Sequence, residues 1–267
     1  MDHGLYTAYL GMRARQRALD VMSNNIANAS TPGFKAERML YRSVEAAEKE
    51  AGVSFNLPGE TSGTTETVNN QTIDRSLASI HGYNVGVVAR TTGNYAAGMI
   101  RQTGQKLDVA LEGDGFLAIQ TPRGERYTRA GALRLNTENQ IVTPQGDLVA
   151  GENGPITLPA GEAVIGDYGD VSVNGQVIDR LKLVRFDDAK TALMKEGDSL
   201  FVAPNAQAQA ATTTRIVQGA LESSNVDPIT EMAAMMQNSR EFDSLQRSIT
   251  MLMNDLGRKV ASEIGRL

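Results

Sequence analysis

The residues able to do chemistry in this chain are few, and their spacing builds no reactive site. Its 267 residues include two isolated histidines, His3 and His81, and no cysteine. Without cysteine there are no disulfides, no thiolate nucleophile and no thiolate metal ligand. Two isolated histidines support neither a metal cluster nor a histidine-based triad. Asp167, Asp170, Asp179, Asp187 and Asp188 offer carboxylates to a calcium ion, but they lack EF-hand spacing and read as turn and surface acids. Gly113-Asp114-Gly115 continues into neither a dinucleotide fingerprint nor a phosphate-binding loop. Two carboxylates meeting in space for glycoside chemistry remain an option that sequence does not address. The reading is no enzyme, no cofactor and no metal.

Composition narrows the partners. The hydrophobic fraction is 41%, the charged fraction 21% and the net charge −5. These values suit a folded protein with a sizeable core, and the acidic balance argues against nucleic acid. No apolar run approaches the roughly 20 residues of a membrane span. The start of the chain carries Asp2, Arg13, Arg15 and Arg17 with no apolar h-region, so any export is expected without a cleaved signal peptide.

The elements that must position such residues are long helices at the two ends. Leu5, Ala8, Tyr9, Met12, Leu19, Met22 and Ile26 recur at helical spacing over residues 3–28, interrupted by Arg15 and Gln16. Thr31-Pro32-Gly33 predicts a stop near Asn28. Asp227-Pro228 is a helix start, with Glu231 in the first turn. Ile229, Met232, Met236, Phe242, Leu245, Ile249, Leu252, Leu256, Val260 and Ile264 follow, with steps of 3, 4, 3 and 4 from Phe242 to Leu256. At 1.5 Å per residue the two helices would be roughly 39 Å and 57 Å long. Asp243 with Arg247 and Asp255 with Lys259 are exposed i,i+4 pairs. Met235, Met236, Met251 and Met253 suit adaptable packing. An isolated helix with an unburied apolar stripe does not offset its ordering entropy, so these stripes need partners.

Between the helices the period changes. Leu107 to Leu111 alternates, Glu112 to Gly115 turns, and Phe116 to Ile119 is the next strand. Val171 to Val173 and Gln176 to Ile178 flank Asn174-Gly175, the strongest hairpin signal in the chain. Leu181 to Phe186 alternates as a strand, and residues 107–202 read as all-β. Val53 to Asn70 reads as an exposed loop or extended hairpin, and residues 203–214 as a loop. The predicted fold is α+β, with paired long N- and C-terminal helices plus a central antiparallel all-β domain. Residues 1–35 would pair with 224–267 as an inner assembly domain, 36–106 would be a linker or extended hairpin region, and 107–223 the β domain.

Two stretches go beyond periodicity. Ser23-Asn24-Asn25-Ile26-Ala27-Asn28-Ala29-Ser30-Thr31-Pro32-Gly33-Phe34-Lys35 resembles the N-terminal signature of bacterial flagellar rod and hook proteins. Gln218-Gly219-Ala220-Leu221-Glu222-Ser223-Ser224-Asn225-Val226-Asp227 resembles their C-terminal signature. Leu107 to Phe116 and Arg126 to Gly131 are similar to their central β domain, with Asn139 where the family hairpin often has glycine. The resemblance runs nearly end to end, and marks Asn24, Asn25, Asn28, Pro32, Gly33, Phe34, Gln218, Gly219, Glu222 and Asn225 as family-motif residues.

It implies a structural subunit of the basal-body rod, with the proximal rod type favoured over the distal. Such a subunit is expected to pass the flagellar type III export apparatus and to assemble in the periplasm with other rod and hook-family subunits and with copies of itself. Its tube would transmit torque and enclose the export channel. Leu5, Met12, Leu19, Ile26, Phe242, Leu245, Ile249 and Leu252 are the expected assembly interface. A second reading, from a different class, is a soluble ligand- or glycan-binding β module whose end helices merely pack together.

Overall fold

The computed structural model describes residues 2–43, 65–68, 71–74 and 87–264. His81 and residues 53–64 of the expected loop lie outside the described residues. The chain forms two compact units, one of residues 1–26, 37–92 and 227–267, the other of residues 27–36 and 93–226. Long helices and a central antiparallel β region make the fold α+β.

The first unit contains helix α1 (Asp2–Ala27), a small sheet and a C-terminal helix. Its strands run in the order Glu37–Ser43, Val87–Gly93, Gln71–Asp74, Thr65–Val68, and the last two form a hairpin with Val68 opposite Gln71. Among the described side chains of α1, Ala14, Ala18 and Asn25 are buried, while Met12, Leu19 and Ile26 are half-buried. The stripe reading passed over these residues because it weighs large side chains, whereas small ones let a neighbouring backbone approach.

The second unit is built on the strand Phe116–Thr121, whose residues Phe116 to Ile119 are all buried. One of its edges pairs along its length with Gly124–Thr128. The other edge is shared, with Leu183–Arg185 opposite Phe116 and Leu117, and Leu148–Val149 opposite Ile119 and Gln120. These strands belong to a nine-stranded sheet among the described residues, which continues through Leu200–Val202 to Met194–Gly197. Val109–Glu112 pairs with Arg215–Gln218, and Ile100–Gln102 pairs with Ala220–Glu222. Val109, Ala110 and Leu111 are all buried, so this strand is covered on both faces rather than alternating.

Two cores result. One gathers aliphatic side chains, including Val109, Leu117, Ile119, Ile141, Val171 and Leu181. The other is aromatic, with Phe116, Tyr127, Phe186 and Phe201 in edge-to-face contact at ring distances of 5.0–6.0 Å. Asn174-Gly175 forms the expected two-residue hairpin, with φ of 53° and 81° and Val173 opposite Gln176. Asn139 adopts φ 59°, the left-handed conformation that asparagine visits more readily than most residues.

Between residues 107 and 214, two elements depart from the sequence reading. Helix α2 (Ala189–Ala192) breaks the all-β run, capped by the Asp188 side chain on the Lys190 N–H. Gln209–Ala210, expected as loop, pairs with Leu183–Arg185. Helix α3 (Pro228–Ile264) follows the second unit in sequence and belongs to the first. Asp227 caps it, accepting from the Ile229 N–H at 3.1 Å and the Thr230 hydroxyl at 2.5 Å. Those bonds, the Thr230 hydroxyl first, hold its carboxyl below the usual value. Arg247 Nε donates to the Asp243 carbonyl oxygen at 3.3 Å rather than to the carboxylate expected from spacing.

Candidate functional site: a charged clamp joining the signature segments

Within the second unit residues 27–35 and 218–226 of the two signature segments, nearly two hundred residues apart in sequence, lie against each other. The first enters through a turn. The Thr31 N–H and hydroxyl donate to the carbonyl and side chain of Asn28 at 3.1 and 3.2 Å. Gly33 then takes φ 67° and donates its N–H to the Glu222 carbonyl at 2.7 Å. A Cβ there would lie 2.4 Å from the Ala130 nitrogen, so only glycine fits. Phe34 is buried among Ala29, Ala36 and Val226, with the Lys195 ammonium 3.6 Å from its ring centroid.

Lys35 is the next residue and is 1% exposed. Its Nζ donates to Glu222 Oε1 at 2.5 Å and to the Ala96 carbonyl at 2.8 Å. The same Glu222 oxygen accepts from the Gly98 N–H at 2.7 Å, and Oε2 accepts from Arg129 Nη1 at 3.3 Å. Arg129 continues to the Gly113 carbonyl at 2.7 Å and lies 5.2 Å from the Phe116 ring centroid, while its buried Nε has no partner. One carboxylate thus serves two cations. Burial pushes the Lys35 ammonium below its usual 10.5, against the pull of Glu222, and the Arg129 charge adds to the lowering. Glu222 is itself 1% exposed, so solvent and substrate do not reach it. The cluster is a structural clamp rather than a reactive site.

Asn225 closes the other side of the segment. Its Oδ1 accepts from the Ala36 N–H at 2.8 Å, and its Nδ2 donates to the carbonyls of Asn94 and Ala96 at 2.8 and 3.0 Å. The amide therefore substitutes for a strand neighbour on two backbones. Gln218 and Gly219 tie down the strand at its far end. Gln218 Nε2 donates to the Lys106 and Ala163 carbonyls, and the Gly219 N–H to the Asp108 carbonyl at 2.8 Å. In the first unit Asn25 plays a comparable part. Its side chain accepts from the Glu37 N–H at 3.0 Å and donates to the Glu37 carbonyl at 2.8 Å and to Glu231 at 3.3 Å.

The motif residues therefore divide. Asn28, Gly33, Phe34, Glu222 and Asn225 converge in the clamp, with Pro32 half-buried in its turn. Gln218 and Gly219 anchor the strand leading to it, Asn25 works in the helical unit, and Asn24 is exposed on α1. Of the expected interface residues, Met12, Leu19, Ile26, Phe242, Leu245 and Ile249 are half-buried and Leu252 is exposed; the Leu5 side chain lies outside the described residues. Lys35 and Arg129 were missed as site residues. The signal was present in Gly33-Phe34-Lys35, but a cation after an apolar residue reads as a surface charge until its carboxylate is located.

Among the described residues no group of His, Asp or Glu side chains converges as a metal site, and no helix is long and apolar enough to cross a membrane. Helices together with an antiparallel β unit closed by residues distant in sequence define an α+β structural subunit. The family description "Flagella basal body rod protein" matches residues 5–35, "Flagellar hook protein FlgE/F/G D1 domain" matches 110–177, and "Flagellar basal body rod FlgEFG protein C-terminal" matches 217–256. The flagellar basal-body rod protein FlgF of Caulobacter vibrioides is 31% identical over 271 residues, covering 100% of both chains. FlgF of Salmonella typhimurium is 34% identical, with 97% of each chain covered. FlgG of Buchnera aphidicola is 30% identical, covering 93% of this chain and 95% of its own. The chain belongs to the flagellar basal-body rod protein family, with the FlgF type supported first and the FlgG type next. It is a structural, non-enzymatic subunit of the basal-body rod. Nothing in these likenesses supports the ligand- or glycan-binding reading.

Proposed function

We propose that this subunit builds the rod through its helical ends. Helices α1 and α3 pair along their length as an inner layer. Neighbouring rod and hook-family subunits, copies of this chain among them, pack on the remaining apolar surface. The tube so formed transmits torque and encloses the export channel, and the subunit reaches it through the type III export apparatus.

The observation that carries this reading is the apolar surface left open on α3. Ile229 is 80% exposed, Met251 67% and Met236 59%, with Met232, Leu252 and Met253 exposed beside them. Burying a large apolar side chain is worth roughly 1.5–3 kcal/mol, so a few such residues per neighbour hold an assembly. Methionine also repacks against non-identical neighbours in a way that β-branched residues do not. The assembly interface is therefore Leu5, Met12, Leu19, Ile26, Phe242, Leu245, Ile249 and Leu252, extended by the exposed methionines.

Two substitutions test it. Met251→Asp places a charge on an open position, and Leu245→Asp places one on a half-buried position. Both variants should retain the thermal unfolding of the β unit while basal bodies lack completed rods and cells lose motility. Complete rods and normal swimming in both would overturn the proposal.

A further inference from the structure

The apolar stripes of α1 and α3 do not by themselves define how the helices align. Leu5, Met12, Leu19 and Ile26 stand seven residues apart, and so do Phe242 and Ile249, and Leu245 and Leu252. Sliding one helix by seven residues returns apolar side chains to apolar side chains. An alignment that rests on such a repeat is degenerate unless polar groups mark one register.

Polar groups do so here, all within the first unit. Arg15, the residue that interrupts the α1 stripe, forks onto α3: Nη1 donates to Asn238 Oδ1 at 2.8 Å and Nη2 lies 2.7 Å from Glu241 Oε2. Asn238 is braced in turn by its own bond to the Ala234 carbonyl at 2.9 Å. Ten residues along α1, Asn25 meets Glu231, ten residues back along α3 from Glu241. Four residues the other way, Gly11 faces Leu245, whose Cδ1 would lie 3.8 Å from a Cβ at Gly11. The three contacts describe a single antiparallel register over residues 11–25 of α1, because equal steps on the two helices run in opposite directions.

We infer that Arg15 is the register-determining residue of the α1–α3 pair, with Asn238 and Glu241 as its receptor; this rests on the helix pairing proposed above. A slip of seven residues one way sets the guanidinium against Leu245 and Ser248, which offer no carboxylate. The opposite slip offers Glu231 and Ala234, and Glu231 is the residue that Asn25 engages. The observed register makes both of these contacts at once, Arg15 with Asn238 and Glu241 and Asn25 with Glu231. The planar fork matters, since a lysine ammonium does not reach an amide and a carboxylate one turn apart in the same fixed geometry. Arg15 gives up apolar contact in the stripe and gains a unique alignment, as a polar residue at a core position does in other helix pairs.

The chain has no cysteine, so introduced pairs report cleanly. In basal bodies holding the full chain, Gly11→Cys with Leu245→Cys reads the observed register, and Gly11→Cys with Leu252→Cys reads the slipped one. A short bismaleimide should cross-link the first pair and leave the second nearly unlinked. Adding Arg15→Leu should raise the slipped product about tenfold or more, as the loss of one well-made charged contact implies. The charge swap Arg15→Glu with Glu241→Arg should restore the single product. If Arg15→Leu subunits fail to enter basal bodies, Arg15→Lys is read in the same way and should show a measurable slipped share. An unchanged single product with either Arg15 substitution overturns the inference while leaving the pairing intact. No product from either cysteine pair in the parent chain overturns the pairing itself.

Discussion

Glu222 carries two cations in a site closed to water, and that imbalance orders what substitutions should do. Replacing it by glutamine leaves Lys35 and Arg129 buried without a counter-charge, a change that costs about 3–5 kcal/mol. Lys35→Met should cost clearly less, because Glu222 keeps Arg129 and the Gly98 N–H. Urea unfolding followed by circular dichroism checks the order, and equal losses would refute it. Titration separates two residues of opposite sign. Lys35 is pushed below 10.5 in the folded chain, so between its lowered value and 10.5 the unfolded chain binds more protons and stability rises with pH. Tyr127, buried and beside the Glu125 carboxylate, is pushed up to about 12. Between pH 10 and 12 the folded chain keeps a proton that the unfolded chain releases, so stability falls by up to about 2 kcal/mol. Tyr127→Phe should remove that alkaline loss, and Lys35→Met the opposing rise, in denaturation midpoints measured against pH.

At the scale of elements, two hairpins solve the same turn with different residues. Asn174-Gly175 has glycine where a positive φ is needed. The hairpin of Met194–Gly197 and Leu200–Val202 instead places Asp198 and Ser199 at φ 48° and 58°. Ser199→Gly should relieve left-handed strain of about 1–2 kcal/mol against an unfolded-chain entropy cost of about 0.5–1, for a net gain near 0.5–1 kcal/mol. Gly175→Ala should lose about 1 kcal/mol, and thermal midpoints check both. The contrast also shows what was legible beforehand. Asn-Gly announced its hairpin, Asp227-Pro228 announced its helix, and the alternating strand near Leu183 announced itself by period. Gln209–Ala210 did not, because two residues joined to an existing edge leave no periodic trace. Ile100–Gln102 was hidden too, being three residues paired with a segment more than a hundred residues away. The clamp was half legible: the signature segments marked Gly33, Phe34, Glu222 and Asn225, but their convergence depends on pairing across the whole β unit.

At the scale of the whole molecule, the β unit contains the clamp-forming parts of both signature segments, residues 27–35 and 218–226. A chain carrying residues 27–226 should therefore unfold cooperatively with the β signature of the full chain, while one ending at Val217 should not fold, having lost Glu222 and Asn225. Chymotrypsin resistance and a sigmoidal melt distinguish the two, and a folded shorter chain would remove the clamp's importance. The distance in sequence between Lys35 and Glu222, 187 residues, also fixes an order in time. Ile100–Gln102 waits for Ala220–Glu222, and Val109–Glu112 waits for Arg215–Gln218. Contacts of such long range form late and slowly, because loop-closure entropy is lost before they contribute. A polypeptide that emerges N-terminus first, from a ribosome or from a narrow pore, lacks the last pieces of its β unit until residue 225 is out. Its topology lets the β unit lock only once nearly all of the chain has emerged.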